Sequence, residues 1–133
     1  MGADFRKRLG ASKGQATLLV LFIPSVDRYS ERIEQEVWVE RALEILGSCF
    51  GGATAFPKAK GVWKDDARGG DLVFDEPVII NCYTSEEALE EHVETLRVFL
   101  TEMGTETNQG AVGLVIDRDY LEIGFPVGEN KDG

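Results

Sequence analysis

The sequence predicts an α+β domain: an antiparallel sheet with two helices on one face. Three observations predict it. Residues 16–24 (ATLLVLFIP) are apolar throughout. Residues 34–49 and 84–103 carry apolar positions at helical spacing. Between these helices lie two β-rich runs, each broken by a proline. At 133 residues one domain is the natural count. Apolar residues at 43% and charged residues at 29% describe a folded chain rather than a disordered one.

The run 16–24 is strand-sized and too short to span a membrane. A strand apolar on both faces belongs in the centre of a sheet. Residues 1–15 before it carry Arg6, Lys7, Arg8 and Lys13 against Asp4, with three glycines and little periodicity. They are expected to form a flexible basic arm. The segment 18–23 lacks the small-residue exit of a secretory leader. Cys49 and Cys82 are isolated, with no C-x-x-C, which fits a reducing compartment. The expectation is a cytoplasmic protein with no membrane partner.

The first helix is expected over 34–49. Trp38, Ala42, Ile45, Leu46 and Cys49 form one apolar stripe. Glu34 and Glu36 favour its positive N-terminal end, and Gly51–Gly52 stop it. Residues 53–64 and 72–83 then read as strands interrupted at Pro57 and Pro77, which suggests bulges or edge positions. Together they predict a long hairpin around the turn-forming stretch 65–71. For the second helix, Thr84 and Glu87 have capping-box spacing. Leu89, His92, Val93, Leu96, Phe99, Leu100 and Met103 make its seam, and Gly104 is placed just past its end. Val112–Ile116 is another strand, which Tyr120–Phe125 pairs as an extra C-terminal strand. Residues 127–133 are expected to be a disordered tail.

The order β-α-β-β-α-β is the split pattern of ferredoxin-like folds. Right-handed crossovers put both helices on one face and leave the other free. Strand side chains alternate, so Phe56, Trp63, Val73, Phe74 and Tyr83 cannot all point at the helices. Apolar surface on the helix-free face is therefore expected, and with it a homodimer joined through the sheets.

The segment Phe50-Gly51-Gly52-Ala53-Thr54-Ala55-Phe56, followed by Gly61-Val62-Trp63, resembles small bacterial α/β proteins of uncharacterised activity. Those proteins combine a Trp-bearing helix, an F-x-G-x-T segment, a G-x-W segment and an acid opening the next strand. Trp38, Phe50, Gly52, Thr54, Gly61, Trp63 and Glu76 fit that pattern, and Gln109 fits it more loosely. The resemblance spans roughly residues 18–116 and implies a ferredoxin-like fold. It brings no activity with it.

Net charge of −10 disfavours sequence-independent nucleic-acid binding. His92 is the only histidine and lies on an apolar helix stripe, where packing is the commoner role than general-base work. One histidine and no ligand-spaced cysteines argue against zinc. No phosphate-binding glycine loop and no G-x-S-x-G motif is present. The acids Asp65, Asp66, Asp71 and Glu76 cluster in sequence around the hairpin turn, and hard cations need such oxygens. Gly69-Gly70-Asp71 also resembles the G-G-D/E turn of palm-domain nucleotidyl cyclases and polymerases, where a turn acid and a first-strand acid share metal. Here the first strand contains no acid.

The leading expectation is a non-catalytic, dimeric ligand-binding or regulatory module of a bacterial cytosol, of the size and charge of a defence or toxin–antitoxin partner. Its expected contact residues are Thr54, Lys60, Trp63, Lys64, Arg68 and Glu76, with a small anionic ligand or a partner protein. No catalytic residue, metal ligand or cofactor is assigned. The rival is a small enzyme. It would use Asp65, Asp66, Asp71 and Glu76 for metal-dependent phosphoryl transfer, or act on a small molecule as an αβ-barrel dimer.

Overall fold

The computed structural model describes residues 2–12 and 14–126. Its elements are α1 (Ala3–Leu9), β1 (Thr17–Ile23), α2 (Gln35–Phe50), β2 (Thr54–Ala55), β3 (Gly61–Asp65), β4 (Asp71–Asp75), β5 (Val78–Thr84), α3 (Glu86–Glu106), β6 (Ala111–Ile116) and β7 (Asp119–Gly124). A five-stranded sheet runs in the order β2-β5-β1-β6-β7, and β3-β4 form a separate pair. Every pairing in the main sheet is antiparallel. The domain is thus α+β with a ferredoxin-like arrangement, and β7 is the extra C-terminal strand.

The central position of β1 follows from its composition. It pairs with β5 from Thr17↔Thr84 to Ile23↔Val78, and with β6 from Leu19↔Ile116 to Leu21↔Leu114. Leu19, Leu21 and Ile23 face the helices and are at most 1% exposed. Val78, Ile80 and Cys82 of β5 and Val112 and Leu114 of β6 join them. Each such side chain contributes on the order of 2 kcal/mol by leaving water. The alternate residues Leu18, Val20 and Phe22 point to the helix-free face and are only half-buried. The continuous apolar run therefore serves two surfaces.

Helix α2 buries Trp38, Val39, Ala42, Leu46 and Phe50, close to the stripe read from sequence. It ends where Gly51 takes a φ of 94°, a left-handed conformation that glycine adopts without a Cβ penalty. Helix α3 starts one residue later than the capping-box spacing implies. The Ser85 hydroxyl accepts from the Ala88 N–H at 3.1 Å, while Thr84 is the buried last residue of β5. At its other end α3 runs through Gly104 to Glu106. A Cβ at 104 would collide with the Phe125 ring, so this glycine makes room for packing and does not stop the helix.

The seam of α3 is interrupted at His92, whose dihedrals (φ −112°, ψ 15°) leave the helical region. Leu96, Phe99, Leu100 and Met103 lie in the core, whereas Val93 is 52% exposed. His92 itself is half-buried and meets Phe50 edge-on at 5.6 Å. That is a packing role.

Two further expectations need correction. Residues 3–9 of the basic arm are helical, with a left-handed Gly10 (φ 75°) at the end and no buried residue. The long hairpin is split. Pro57 and Pro77 cannot donate to a ladder, so Thr54–Ala55 and Val78–Thr84 stay in the main sheet, while Gly61–Asp65 and Asp71–Asp75 leave it. The expected tail, 127–133, lies outside the described residues. Among the described residues no helix is long and apolar enough to cross a membrane.

Candidate functional site

The detached β3–β4 hairpin is anchored at both ends to the loop after β1. At its base, Ser25 donates to Asp75 Oδ1 through its backbone N–H (2.8 Å) and its hydroxyl (2.5 Å). Ser25 Oγ in turn accepts from the Glu76 N–H at 2.9 Å. At its tip, Asp65 caps a short 3-10 turn over Asp66–Arg68 by accepting from the Ala67 N–H at 3.1 Å. Its other oxygen faces Arg28 Nε at 3.6 Å. Arg28 also donates to the Phe125 carbonyl at 2.5 Å. Arg68 donates to the Arg28 carbonyl and lies 4.6 Å over the Tyr29 ring. Val73, on the hairpin's inner face, is 1% exposed. Two prolines alone would leave a free ribbon, and these contacts give it one orientation.

The orientation leaves a half-open chamber of about 270 Å³ against the helix-free face of the sheet. Phe22, Ile79, Ala111 and Gly113 form its floor, from β1, β5 and β6. The hairpin supplies Val62 and Trp63, the connecting loops Pro24 and Pro77, and β7 Tyr120 and Glu122. Two glycines shape it. A Cβ at Gly113 would collide with Tyr120, so bare backbone lets that ring lie across β6. Tyr120 then meets Phe22 edge-on at 6.4 Å. A Cβ at Gly110 would stand 2.6 Å from the Trp63 ring and 3.1 Å from an Arg28 terminal nitrogen.

Few polar groups reach this apolar space: Lys60, Asp75, Gln109 and Glu122. The Tyr120 hydroxyl donates to Glu122 at 3.1 Å. Burial, then the Glu122 charge and that hydrogen bond, push the Tyr120 pKa up. At neutral pH this hydroxyl is a donor and does not serve as a base. In the core, burial and then nearby Cys49 push the Cys82 thiol up, as befits an inert core residue.

The sequence-derived contact set is only partly brought together. Lys60 and Trp63 line the chamber. Lys64 lines a groove on the other side of Trp63, with Asp66 and Phe125. Glu76 borders a third hollow with Ser25 and Arg32, which touches the chamber at Lys60 and Asp75. Arg68 is occupied by Tyr29 and the Arg28 carbonyl. Thr54 pairs with Asn81 on the sheet edge opposite β7. Nor do the four turn acids gather. Asp65 faces Arg28, Asp71 faces Arg68 at 3.7 Å, and Glu76 follows the opposite end of β4. Among the described residues no group of three or more His, Cys, Asp or Glu side chains is placed to hold a metal ion.

Phe22, Gly113, Tyr120 and Glu122 were not anticipated. The signal for Phe22 was its phase in β1, one residue off Leu21 and Ile23. For Tyr120 and Glu122 it was their i, i+2 spacing, which puts both on one face of β7.

The fold resembles that of a phage SAM lyase. The solved structure of that enzyme in complex with S-methyl-5′-thioadenosine matches with a TM-score of 0.65 at 18% identity, over 85% of this chain and 92% of that one. Its apo structure matches with a TM-score of 0.62, also at 18% identity, over 89% and 96%. At this identity the likeness is one of fold. No family model and no curated protein matches the chain.

Proposed function

We propose that this chain is a small-molecule-binding module whose chamber takes an adenine nucleoside bearing sulfur at its 5′ position, of the S-adenosylmethionine or S-methyl-5′-thioadenosine type. The observation that carries it is the chamber itself. Trp63, Tyr120 and Phe22 offer aromatic surfaces around an apolar floor, with a few convergent polar groups, the usual composition of a small-ligand site. Aromatic faces stack a purine and attract a sulfonium cation. The carboxylates Asp75 and Glu122 outnumber the single Lys60, so the lining favours a cationic ligand over the anionic one expected from sequence. The shared fold with a lyase solved in complex with S-methyl-5′-thioadenosine supports this ligand class.

The proposed role is binding without catalysis of its own, as a regulatory or interaction module. Titration calorimetry with S-methyl-5′-thioadenosine and S-adenosylmethionine tests it on the native protein and on Trp63→Ala. Micromolar binding by the native chain, weakened at least tenfold by Trp63→Ala, is the expected result. No heat with either nucleoside at millimolar concentration would remove the ligand assignment. Chromatography of the S-adenosylmethionine samples after overnight incubation separates the roles. Accumulating S-methyl-5′-thioadenosine, lost in Glu122→Gln, would make the chain a lyase and overturn the non-catalytic part.

A further inference from the structure

Resting on the nucleoside reading of the chamber, we propose that the hollow bordered by Ser25, Arg32 and Glu76 is a subsite for a zwitterionic α-amino-acid tail. The ligand is then the complete S-adenosylmethionine type, and not the nucleoside cut off at sulfur.

The hollow measures about 410 Å³ and shares Lys60, Gly61 and Asp75 with the chamber. Gly61 sets no side chain on that border. A ligand anchored in the chamber can therefore extend across it.

The charged lining of the hollow is Arg32, Lys60, Asp75 and Glu76, two groups of each sign. Asp75 is already engaged, because its Oδ1 accepts from the Ser25 N–H and hydroxyl. Among the described residues, Arg32, Lys60 and Glu76 form no ion pair. Open charges of both signs thus face one space without neutralising each other. A lining of no net charge suits a zwitterion better than a plain anion or cation. The Arg32 guanidinium matches a carboxylate, with Lys60 as a second cation, and the Glu76 carboxylate matches an ammonium group.

The backbone holds these groups in place around Ser25. The Glu76 N–H donates to Ser25 Oγ at 2.9 Å, and its carbonyl accepts from Gln35 Nε2 at 3.0 Å. Arg32 is bridged to Val26, and Ile33 donates to the Ser25 carbonyl at 3.1 Å. Both charged side chains project from fixed main chain, which lowers the ordering cost of binding.

Titration calorimetry near neutral pH tests this with S-adenosylhomocysteine and S-methyl-5′-thioadenosine. Both are neutral thioethers, so they differ only beyond the sulfur, in an amino-acid tail or a methyl group. The native chain should bind S-adenosylhomocysteine about tenfold more tightly. Arg32→Gln and Glu76→Gln, both at exposed side chains, should each weaken that ligand roughly threefold or more. Binding of S-methyl-5′-thioadenosine should be unchanged in both variants. Equal affinity of the native chain for the two ligands overturns the subsite and spares the nucleoside reading. So does an equal loss of both ligands in the variants, which marks a structural role. Failure of both ligands on the native chain removes the nucleoside reading itself, and the subsite with it.

Discussion

Arg28 and Asp65 face each other at 3.6 Å, Nε to Oδ2, with side chains 4% and 3% exposed. Neither of those two atoms has a hydrogen-bond partner among the described residues. The pair joins the loop after β1 to the hairpin tip, and so fixes the wall that carries Trp63. Removing one member strands a charge in a dry site, which costs about 3–5 kcal/mol. Asp65→Ala should lower the unfolding free energy by that order, read from urea titration. The double variant Arg28→Met/Asp65→Leu should lose less than the two single losses combined, because it leaves no orphaned charge.

Gly110 permits the close approach of Trp63. Gly110→Ala inserts a methyl 2.6 Å from the ring and should cost about 1–3 kcal/mol through overpacking. Trp63→Leu in the same chain should recover part of that loss. Thermal melts of the four proteins in this cycle measure the coupling, and strict additivity would show that the two positions do not touch.

Neighbouring residues of β1 should respond very differently to truncation. Leu21 is 1% exposed against the helices, so Leu21→Ala should cost about 2–5 kcal/mol. Val20 lies on the other face, and Val20→Ala should cost under about 1 kcal/mol in dilute protein. Equal urea midpoints for the two variants would mean that the faces of β1 are wrongly assigned.

The raised pKa of Tyr120 predicts an alkaline dependence. The folded state holds this proton more tightly than the unfolded state, whose tyrosine ionises near 10.0. The contribution is therefore complete below that pH. It is lost as pH rises through the higher folded value. Tyr120→Phe should flatten the fall in stability above about pH 10. Glu122→Gln should reduce the fall by removing the neighbouring charge. Parallel stability curves for native and Tyr120→Phe proteins would contradict this.

Much of the architecture was legible because it rests on local periodicity. The stripe Trp38–Ala42–Leu46 and the run 17–23 are one-dimensional signals of burial. Prolines 57 and 77 likewise announced the breaks where the hairpin departs. The errors lie where a distant residue intervenes. Gly104 reads as a helix end because nothing local shows that Phe125 fills its vacant side. Thr84 reads as a cap because its burial at the end of β5 depends on pairing with Thr17. Of the residues that line the chamber, Lys60 and Trp63 were singled out beforehand by a local basic and aromatic cluster. Phe22 and Tyr120 were missed because they approach from strands almost a hundred residues apart in the chain.

Composition and spacing alone determined the strand and helix order from β1 onward, the central place of β1 and the one-sided layering of the two long helices. Those properties follow from how apolar side chains recur along a chain in water. Only the tertiary structure decided that the hairpin leaves the sheet, turns Trp63 inward over Gly110 and walls a half-open chamber with Tyr120. That outcome depends on contacts such as Ser25–Asp75 and Arg28–Asp65, whose partners come together only after the strands have paired.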